Sequence, residues 1–120
     1  MMTNEYLTGG TIMINFEELQ ETIVPNFKGG EGNTIIRKYE DAAMKVLRVV
    51  LKPGCSIGLH THVTNSEVVY IIAGQGVCIL NGKEEVLSRG QCSYCPKGSE
   101  HTIANHGTED LVLLGVVPEQ

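Results

Sequence analysis

The sequence predicts an all-β fold, either a sandwich or a barrel, and three observations lead to this prediction. Short runs rich in β-branched residues recur along the chain, and Gly, Pro, Asn or Asp turn signals separate them roughly every 6–12 residues. The apolar pattern shows no helix of normal length. Strand-like and helix-like segments do not alternate either, which argues against an α/β fold with a parallel sheet.

Length and charge limit the number of domains and the kinds of partner. The 120 residues, 13.0 kDa in mass, fit one domain with a buried core and leave no room for a second. The formal net charge is -5, and lysine and arginine do not cluster, so we expect no nucleic-acid partner. We also see no secretory leader pattern and no run of about 18 apolar residues. We therefore expect a cytoplasmic protein without a membrane partner.

Residues 1–29 are predicted to form an N-terminal arm, and residues 30–120 a single barrel domain. Residues 14–23 fit one or two helical turns, which Pro25 would end. The arm is too apolar for a disordered terminus, so we expect it to pack on the barrel or on a partner subunit. Its apolar residues are Ile12, Ile14, Phe16, Leu19, Ile23 and Phe27.

The predicted strands begin with an antiparallel hairpin made of residues 34–39 and 44–51, two β-branched runs on either side of a short polar segment. Asn81 and Gly82 stand between two later strand-like runs, and this dipeptide is preferred in two-residue type I′ hairpins. The last predicted strands are residues 91–95, 102–105 and 111–117.

Residues near the middle of the chain are candidate metal ligands. His60 and His62 are two residues apart, so on a strand their imidazoles project from the same face toward one point. The turn formers at 64–66 precede Glu67, which opens an apolar strand that could bring its carboxylate against both rings. Paired histidines on a strand are more often without a metal, so a fourth ligand is needed. His101, which follows a corner containing proline and glycine, supplies it.

These residues complete two motifs by which the chain resembles the cupin superfamily. The first, G(X)5HXH(X)4E(X)6G, is matched at Gly54, His60, His62, Glu67 and Gly74. The second, G(X)5PXG(X)2H(X)3N, is matched at Gly90, Pro96, Gly98, His101 and Asn105. The 15 residues between the motifs make a short connection of the kind seen in small single-domain microbial cupins. The resemblance covers about residues 34–117.

The resemblance implies a specific fold, metal site and assembly. The fold would be a double-sheet jelly-roll barrel, or double-stranded β-helix, with one divalent metal ion bound inside by His60, His62, Glu67 and His101. Small cupins usually form homodimers, and the apolar arm points in the same direction. We expect the arm or the strand after it to cross to the partner and cover a sheet edge.

The ligand set limits the chemistry without naming a reaction. Three imidazoles and one carboxylate suit manganese, iron, cobalt, nickel or zinc, and about two positions of an octahedral site remain for water, dioxygen or substrate oxygens. One hypothesis is an enzyme of the isomerase, dioxygenase or decarboxylase type acting on a sugar derivative or organic acid. The alternative is a non-catalytic, metal-dependent binding or sensing module. The complete ligand set favours the enzyme, and the lack of an identifiable catalytic base favours the binder.

Two other kinds of site are not supported. The HxHxDH pattern of metallohydrolases is not matched, because neither Asp nor His follows His62 at the required offsets. Cys92 and Cys95 form a CxxC, but residues three apart on a strand face opposite sides, and a second CxxC to complete a zinc site is lacking. We expect reduced thiols at all four cysteines, which are Cys55, Cys78, Cys92 and Cys95, and buried apolar side chains at Cys92 and Cys95.

Other polar residues carry weaker predictions. Arg37 could bind a substrate carboxylate, although a solvated place on a sheet is the more common environment for arginine. Tyr70 lies three residues after Glu67 and therefore belongs to the opposite face of that strand. His106 is expected to be exposed in a turn. The pattern does not determine which face of the sheet is occupied by Cys78, Ser93 and Tyr94.

Overall fold

The computed structural model describes residues 12–120, which form two antiparallel β-sheets with short connections. Two one-turn 3-10 helices, Phe16–Glu18 and Phe27–Gly29, lie among the first strands. In the described residues the strands are β1 Glu21–Pro25, β2 Asn33–Glu40, β3 Met44–Leu51, β4 Ser56–Thr61, β5 Glu67–Ala73, β6 Gln75–Leu80, β7 Lys83–Ser88, β8 Cys92–Cys95, β9 Glu100–Ala104 and β10 Leu111–Pro118. The predicted all-β, double-sheet jelly roll is confirmed.

The two sheets divide the strands unequally. The larger sheet has six strands in the order β1-β2-β3-β10-β5-β8, and the smaller has four in the order β4-β9-β6-β7. Strand β10 shows the alternation expected of a sheet with one face against a core, because Leu111, Leu113, Gly115 and Val117 are buried and the residues between them are half-buried. Consecutive strands β4 and β5 belong to different sheets, so the connection between them crosses from one layer to the other.

Both predicted hairpins are present. Strands β2 and β3 pair antiparallel, with Thr34 opposite Leu51, and residues 41–43 connect them. Strands β6 and β7 pair through the turn at Asn81 and Gly82. Their φ angles are 48° and 81°, and two positive values in succession are what a type I′ turn requires. This hairpin forms the outer edge of the smaller sheet.

Asn105, the last residue of the second motif, is a buried residue whose side chain links two parts of the chain by hydrogen bonds. Its side chain is 1% exposed, and its amide nitrogen donates hydrogen bonds of 2.8 Å to the carbonyl oxygens of Leu51 and Glu109. Its amide oxygen accepts a hydrogen bond from the backbone nitrogen of Gly107. One side chain thus ties the loop after β9 to the end of β3.

The N-terminal segment differs from the expectation of one or two helical turns over residues 14–23. A single 3-10 turn forms at Phe16–Glu18, and the chain then enters β1, which pairs with β2 at the edge of the larger sheet. Pro25 therefore ends a strand and not a helix. The β-branched run of Thr22, Ile23 and Val24 favours a strand, and proline is tolerated at the end of an edge strand. The part of the predicted arm at 1–11 lies outside the described residues, and the boundary between arm and barrel stays a prediction.

The cysteines follow the sequence-based expectation of free thiols, but the expectation of burial is wrong for Cys92. All four have free thiols. Cys92 is exposed and Cys95 is buried, as expected for residues on opposite faces of β8. A separate finding concerns membranes: within residues 12–120 there is no helix with the length and apolar character to cross a bilayer.

Candidate metal centre

The four predicted ligands come from strands β4, β5 and β9 and from the residue directly after β4, and they meet between the two sheets. His60 is on β4 and pairs with His101 on β9, so the two rings share one face of the smaller sheet. His62 directly follows β4, and Glu67 is the first residue of β5 in the larger sheet. The ligand atoms of the four residues all lie within 4.8 Å of one another. The residues that the sequence singled out are therefore brought to one point.

The contacts within the cluster are short and directed inward. The Nε2 atom of His101 is 3.0 Å from that of His62 and 3.1 Å from that of His60. The Oε1 atom of Glu67 is 3.0 Å from His101 Nε2 and 3.2 Å from His62 Nε2. Four electron-pair donors thus converge, and only a proton or a metal cation between them removes their mutual repulsion.

Outer partners orient two of the rings. The Nδ1 atom of His60 is 2.8 Å from the carbonyl oxygen of Gly58, and Nδ1 of His62 is 2.6 Å from Asn65 Oδ1. A carbonyl oxygen only accepts, so each Nδ1 carries the hydrogen and donates it. This tautomer leaves the Nε2 lone pairs of both rings directed at the cluster, which is how imidazole binds a metal.

The protonation of the cluster shows which sites carry charge when no metal is bound. Burial alone would raise the pKa of Glu67, but hydrogen bonds from His101 and His62 outweigh it and hold the pKa at about 2. Burial alone would lower the pKa of His101, but its hydrogen bonds to Cys78 and Glu67 and the Glu67 charge raise it to about 9. Burial lowers the pKa of His60, and the neighbouring histidines add to the shift. These shifts favour a positively charged His101 ring beside the ionised carboxylate of Glu67.

This donor set fits a divalent transition metal. Three neutral imidazole nitrogens and one ionised carboxylate provide one negative charge and four lone pairs, which suits a cation of charge two. The residues His62 and His101 are 8% and 4% exposed, so solvent does not compete freely for their rings. The four residues can hold a metal ion.

A glycine on β10 makes room for the carboxylate. Gly115 lies opposite Val69, and a Cβ atom built on it would be 2.7 Å from Oε2 of Glu67. A carbon so close to an oxygen is not tolerated, so any side chain here would displace the carboxylate. Sequence reasoning missed this residue. The signal for it is a lone glycine inside an otherwise apolar strand, which often marks a close approach.

The cluster stands at one side of a cavity of about 280 Å³. Apolar side chains from both sheets form most of its wall, among them Ile36, Val49, Ile57, Val69 and Leu113. Polar groups that line it besides the ligands include Lys28, Lys45, Thr61, Thr64 and Asn65. Lys45 alternates along β3 with the cavity-lining Leu47 and Val49, and therefore extends from the inner face of the larger sheet.

The weaker sequence predictions have mixed outcomes. Arg37 does not line the cavity but donates hydrogen bonds to the carbonyl oxygens of Phe16 and Leu19, at 3.3 and 2.7 Å, and so holds the N-terminal segment. The predictions for Tyr70 and His106 are confirmed, since both are exposed.

The three residues whose register was open are now placed. Cys78 is buried beside His101, and its sulfur lies 3.6 Å from the hydroxyl of Ser93. Tyr94 points outward and is 55% exposed. Neither Cys78 nor Ser93 is among the residues that line the cavity.

Known proteins resemble this chain in sequence and in fold. The family model described as "Cupin domain" matches residues 47–117. The oxalate-binding protein of Thermotoga maritima is 31% identical over 115 residues, which is 91% of this chain and 95% of that protein. Mannose-1-phosphate guanylyltransferase of Escherichia coli is 35% identical over 71 residues, but these are 59% of this chain and only 15% of that enzyme.

Solved structures agree with the sequence relatives. A crystal structure described as a predicted oxalate decarboxylase from Thermotoga maritima has a TM-score of 0.85 and 30% identity, covering 91% of this chain and all of that one. An RmlC-like cupin from Shewanella frigidimarina has a TM-score of 0.77 over 92% of this chain and 93% of its own, and its 13% identity makes it a likeness of fold alone. Motifs, fold and relatives agree, and the chain belongs to the cupin family.

Proposed function

We propose that this protein binds a small carboxylate, of the size and charge of oxalate, through one divalent transition metal ion per chain. The observation that carries the proposal is the convergence of His60, His62, Glu67 and His101 beside a cavity whose other charged lining residues are cationic. Held by these four residues, a divalent ion would supply Lewis acidity and accept oxygen atoms of a ligand. The donor set accommodates manganese, iron, cobalt, nickel or zinc.

The charges around the cavity support an anionic ligand. Lys28 and Lys45 line it together with apolar side chains, and Glu67 is the one acidic residue among the described lining residues. In a cavity with low-dielectric walls, a cation attracts a carboxylate more strongly than it does in water. A volume of about 280 Å³ lies near the lower end of the range for small-molecule sites and is large enough for a ligand of the size of oxalate together with water. The name of the Thermotoga maritima relative, an oxalate-binding protein, points to the same ligand class.

An enzyme that converts the bound carboxylate is the second candidate. The relative described as a predicted oxalate decarboxylase and the complete ligand set favour it. Against it, the described residues that line the cavity include no carboxylate, histidine or tyrosine beyond the four ligands, so a general acid or base would have to be a lysine. For this reason we place binding first and turnover second. Sugar derivatives remain the alternative substrate class for an enzyme.

Calorimetry with oxalate tests the proposal. Protein loaded with Mn²⁺ should bind oxalate, and the same protein after chelator treatment should not. Lys45→Met should weaken binding about tenfold, whereas Lys52→Met should leave it unchanged, because Lys52 is on the surface and paired with Asp110. Equal oxalate binding with and without metal would overturn the proposal. Release of formate and carbon dioxide from oxalate by the loaded protein would establish the decarboxylase instead.

A homodimer in the cytoplasm is part of the same proposal. The outer face of the larger sheet exposes Tyr70 and Ile72 of β5 and Tyr94 of the neighbouring strand β8, whereas the exposed Ile23 of β1 lies at the opposite edge of the sheet. Grouped apolar side chains on a sheet are typical of an interface between subunits. Light scattering at micromolar concentration should give twice the chain mass, and a monomeric mass would contradict the dimer.

A further inference from the structure

The loop that carries His62 is fastened to residues 118–120. The hydroxyl of Thr64 donates to Glu119 Oε1 at 3.0 Å, and the amide nitrogen of Asn65 donates to Glu119 Oε2 at 2.7 Å. The backbone nitrogen of Gln120 donates to the carbonyl oxygen of Thr64 at 2.9 Å, and Asn65 and Glu119 form an isolated β-bridge. Both carboxylate oxygens of Glu119 are therefore engaged by the turn between β4 and β5.

The direction of each hydrogen bond follows from the chemistry of Glu119. An ionised carboxylate only accepts, and the hydrogen bonds from Asn65 and Thr64 lower the pKa of Glu119 further below neutral. The amide of Asn65 must then present its NH₂ group to Glu119 and its oxygen to His62. That oxygen lies 2.6 Å from Nδ1 of His62 and accepts its hydrogen. The tautomer of His62 is thus determined by a residue 57 positions away in the chain.

We propose that Asn65 and Glu119 are positioning residues for the metal centre, forming a relay that fixes His62 as the Nδ1–H tautomer and directs its Nε2 lone pair at the metal. The proposal rests on the proposed metal site. Outer-shell partners of ligating histidines of this kind typically account for a 10–100-fold difference in metal affinity.

The other rings lack such a relay. His60 donates to the backbone carbonyl of Gly58, which no side-chain substitution removes. His101 lies beside the Cys78 thiol, a weak partner by comparison with a carbonyl oxygen. The relay therefore governs His62 alone, and its loss should weaken metal binding without abolishing it.

Matched variants of the loop test this step. Asn65→Leu keeps the approximate size but removes the acceptor of His62, and should weaken Zn²⁺ binding by about 10–100-fold in competition with a chromophoric chelator. Thr64→Val removes the other hydrogen bond to Glu119 while keeping the relay, and should change the affinity less than about threefold. If both variants weaken zinc binding equally, the hydrogen bonds to Glu119 only hold the loop in place, and the proposal that Asn65 and Glu119 fix the tautomer of His62 is wrong. If the wild-type protein binds no zinc, it is the metal site itself that fails.

A double variant and a spectroscopic measurement test the proposal without relying on one substitution. Asn65→Asp alone places two carboxylates together and should weaken zinc binding, whereas Asn65→Asp combined with Glu119→Gln restores a donor and an acceptor and should recover most of the affinity. Nitrogen-15 spectra of the histidines should show His62 as the Nδ1–H tautomer in the wild-type protein and a changed population in Asn65→Leu. An Nε2–H tautomer in the wild type, or no recovery in a folded double variant, would overturn the relay.

Discussion

The two ends of the barrel use the same three strands for different purposes. At the closed end, Leu51 of β3, Ile71 of β5 and Leu111 of β10 are 0% exposed and fill the space between the sheets. At the open end, Lys45 of β3, Glu67 of β5 and Val117 of β10 line a cavity. The closed end buries apolar side chains, and the open end contains a cavity with charged side chains in its wall. Stability and ligand binding should therefore respond to substitutions at different ends.

The largest effect on stability is expected at the closed end. Leu111→Ala removes fully buried methyl groups and should lower the free energy of unfolding by about 2–5 kcal/mol, as measured by denaturant titration. The metal content of the folded variant should be unchanged, because Leu111 is not among the residues that line the cavity. If Leu111→Ala had the wild-type free energy of unfolding but lost its metal, the two ends would not have separate roles in stability and binding.

At the open end, removing a ligand should abolish most metal binding. His62→Ala should weaken the affinity for Zn²⁺ by more than about a hundredfold, or about 2.7 kcal/mol, because one of four donors is lost. Cys92→Ala is the control, since Cys92 is exposed on β8 away from the cluster. Equal metal retention by the two variants, determined by elemental analysis after dialysis against a chelator, would remove His62 from the site.

A smaller effect at the open end is expected from Gly115→Ala. The added methyl group would displace the Glu67 carboxylate, so zinc affinity should fall by about 10–100-fold while the fold is retained. Val116→Ala, one residue further along β10 and on the opposite face, should leave the affinity unchanged. Wild-type affinity in Gly115→Ala, measured by the same competition titration, would show that the carboxylate has room to move.

The smallest effect is a pH dependence of opposite sign with and without metal. In the metal-free protein the raised pKa of His101, about 9, contributes stability that is present below its unfolded value near 6.5 and is lost as pH rises through 9. Metal binding requires neutral imidazoles, so a metal ion must displace the His101 proton below pH 9, and the stabilisation that the metal adds should shrink as pH falls from about 9 and be lost below about 6. Glu67, with a pKa of about 2, stays ionised throughout.

Melting temperatures between pH 5 and 9.5 check this prediction. Without metal, the melting temperature should be higher at pH 6 than at pH 9.5. The increase that Zn²⁺ causes should be larger at pH 7.5 than at pH 5. A metal-induced increase that is independent of pH would mean that the histidines are not the ligands.

Three of the four candidate ligands, His60, His62 and Glu67, could be placed together from the sequence because short-range spacing determines their arrangement. Two histidines at alternate positions of a strand, followed by a turn and a glutamate, restrict three ligands to a single bend of the chain. The type I′ hairpin at Asn81 and Gly82 was predictable for the same reason, since two residues determine its backbone.

What the sequence did not reveal depends on contacts between distant parts of the chain. Strand β1 forms because β2 offers an edge to pair with, and a local pattern of 14–23 cannot show that edge. The link from Glu119 through Asn65 to His62 joins residues far apart in sequence. The need for a glycine at position 115 becomes visible only when β10 pairs with β5 and brings Gly115 close to the carboxylate of Glu67.

Elemental analysis of purified protein tests the central claim most directly. After expression in medium supplemented with transition metals, the wild-type chain should carry close to one metal ion, and a variant with both His62→Ala and His101→Ala should carry almost none. The fold of the double variant can be checked by its retained β-sheet circular dichroism. A wild-type stoichiometry near zero, or the same stoichiometry in both proteins, would contradict a metal centre built from these residues.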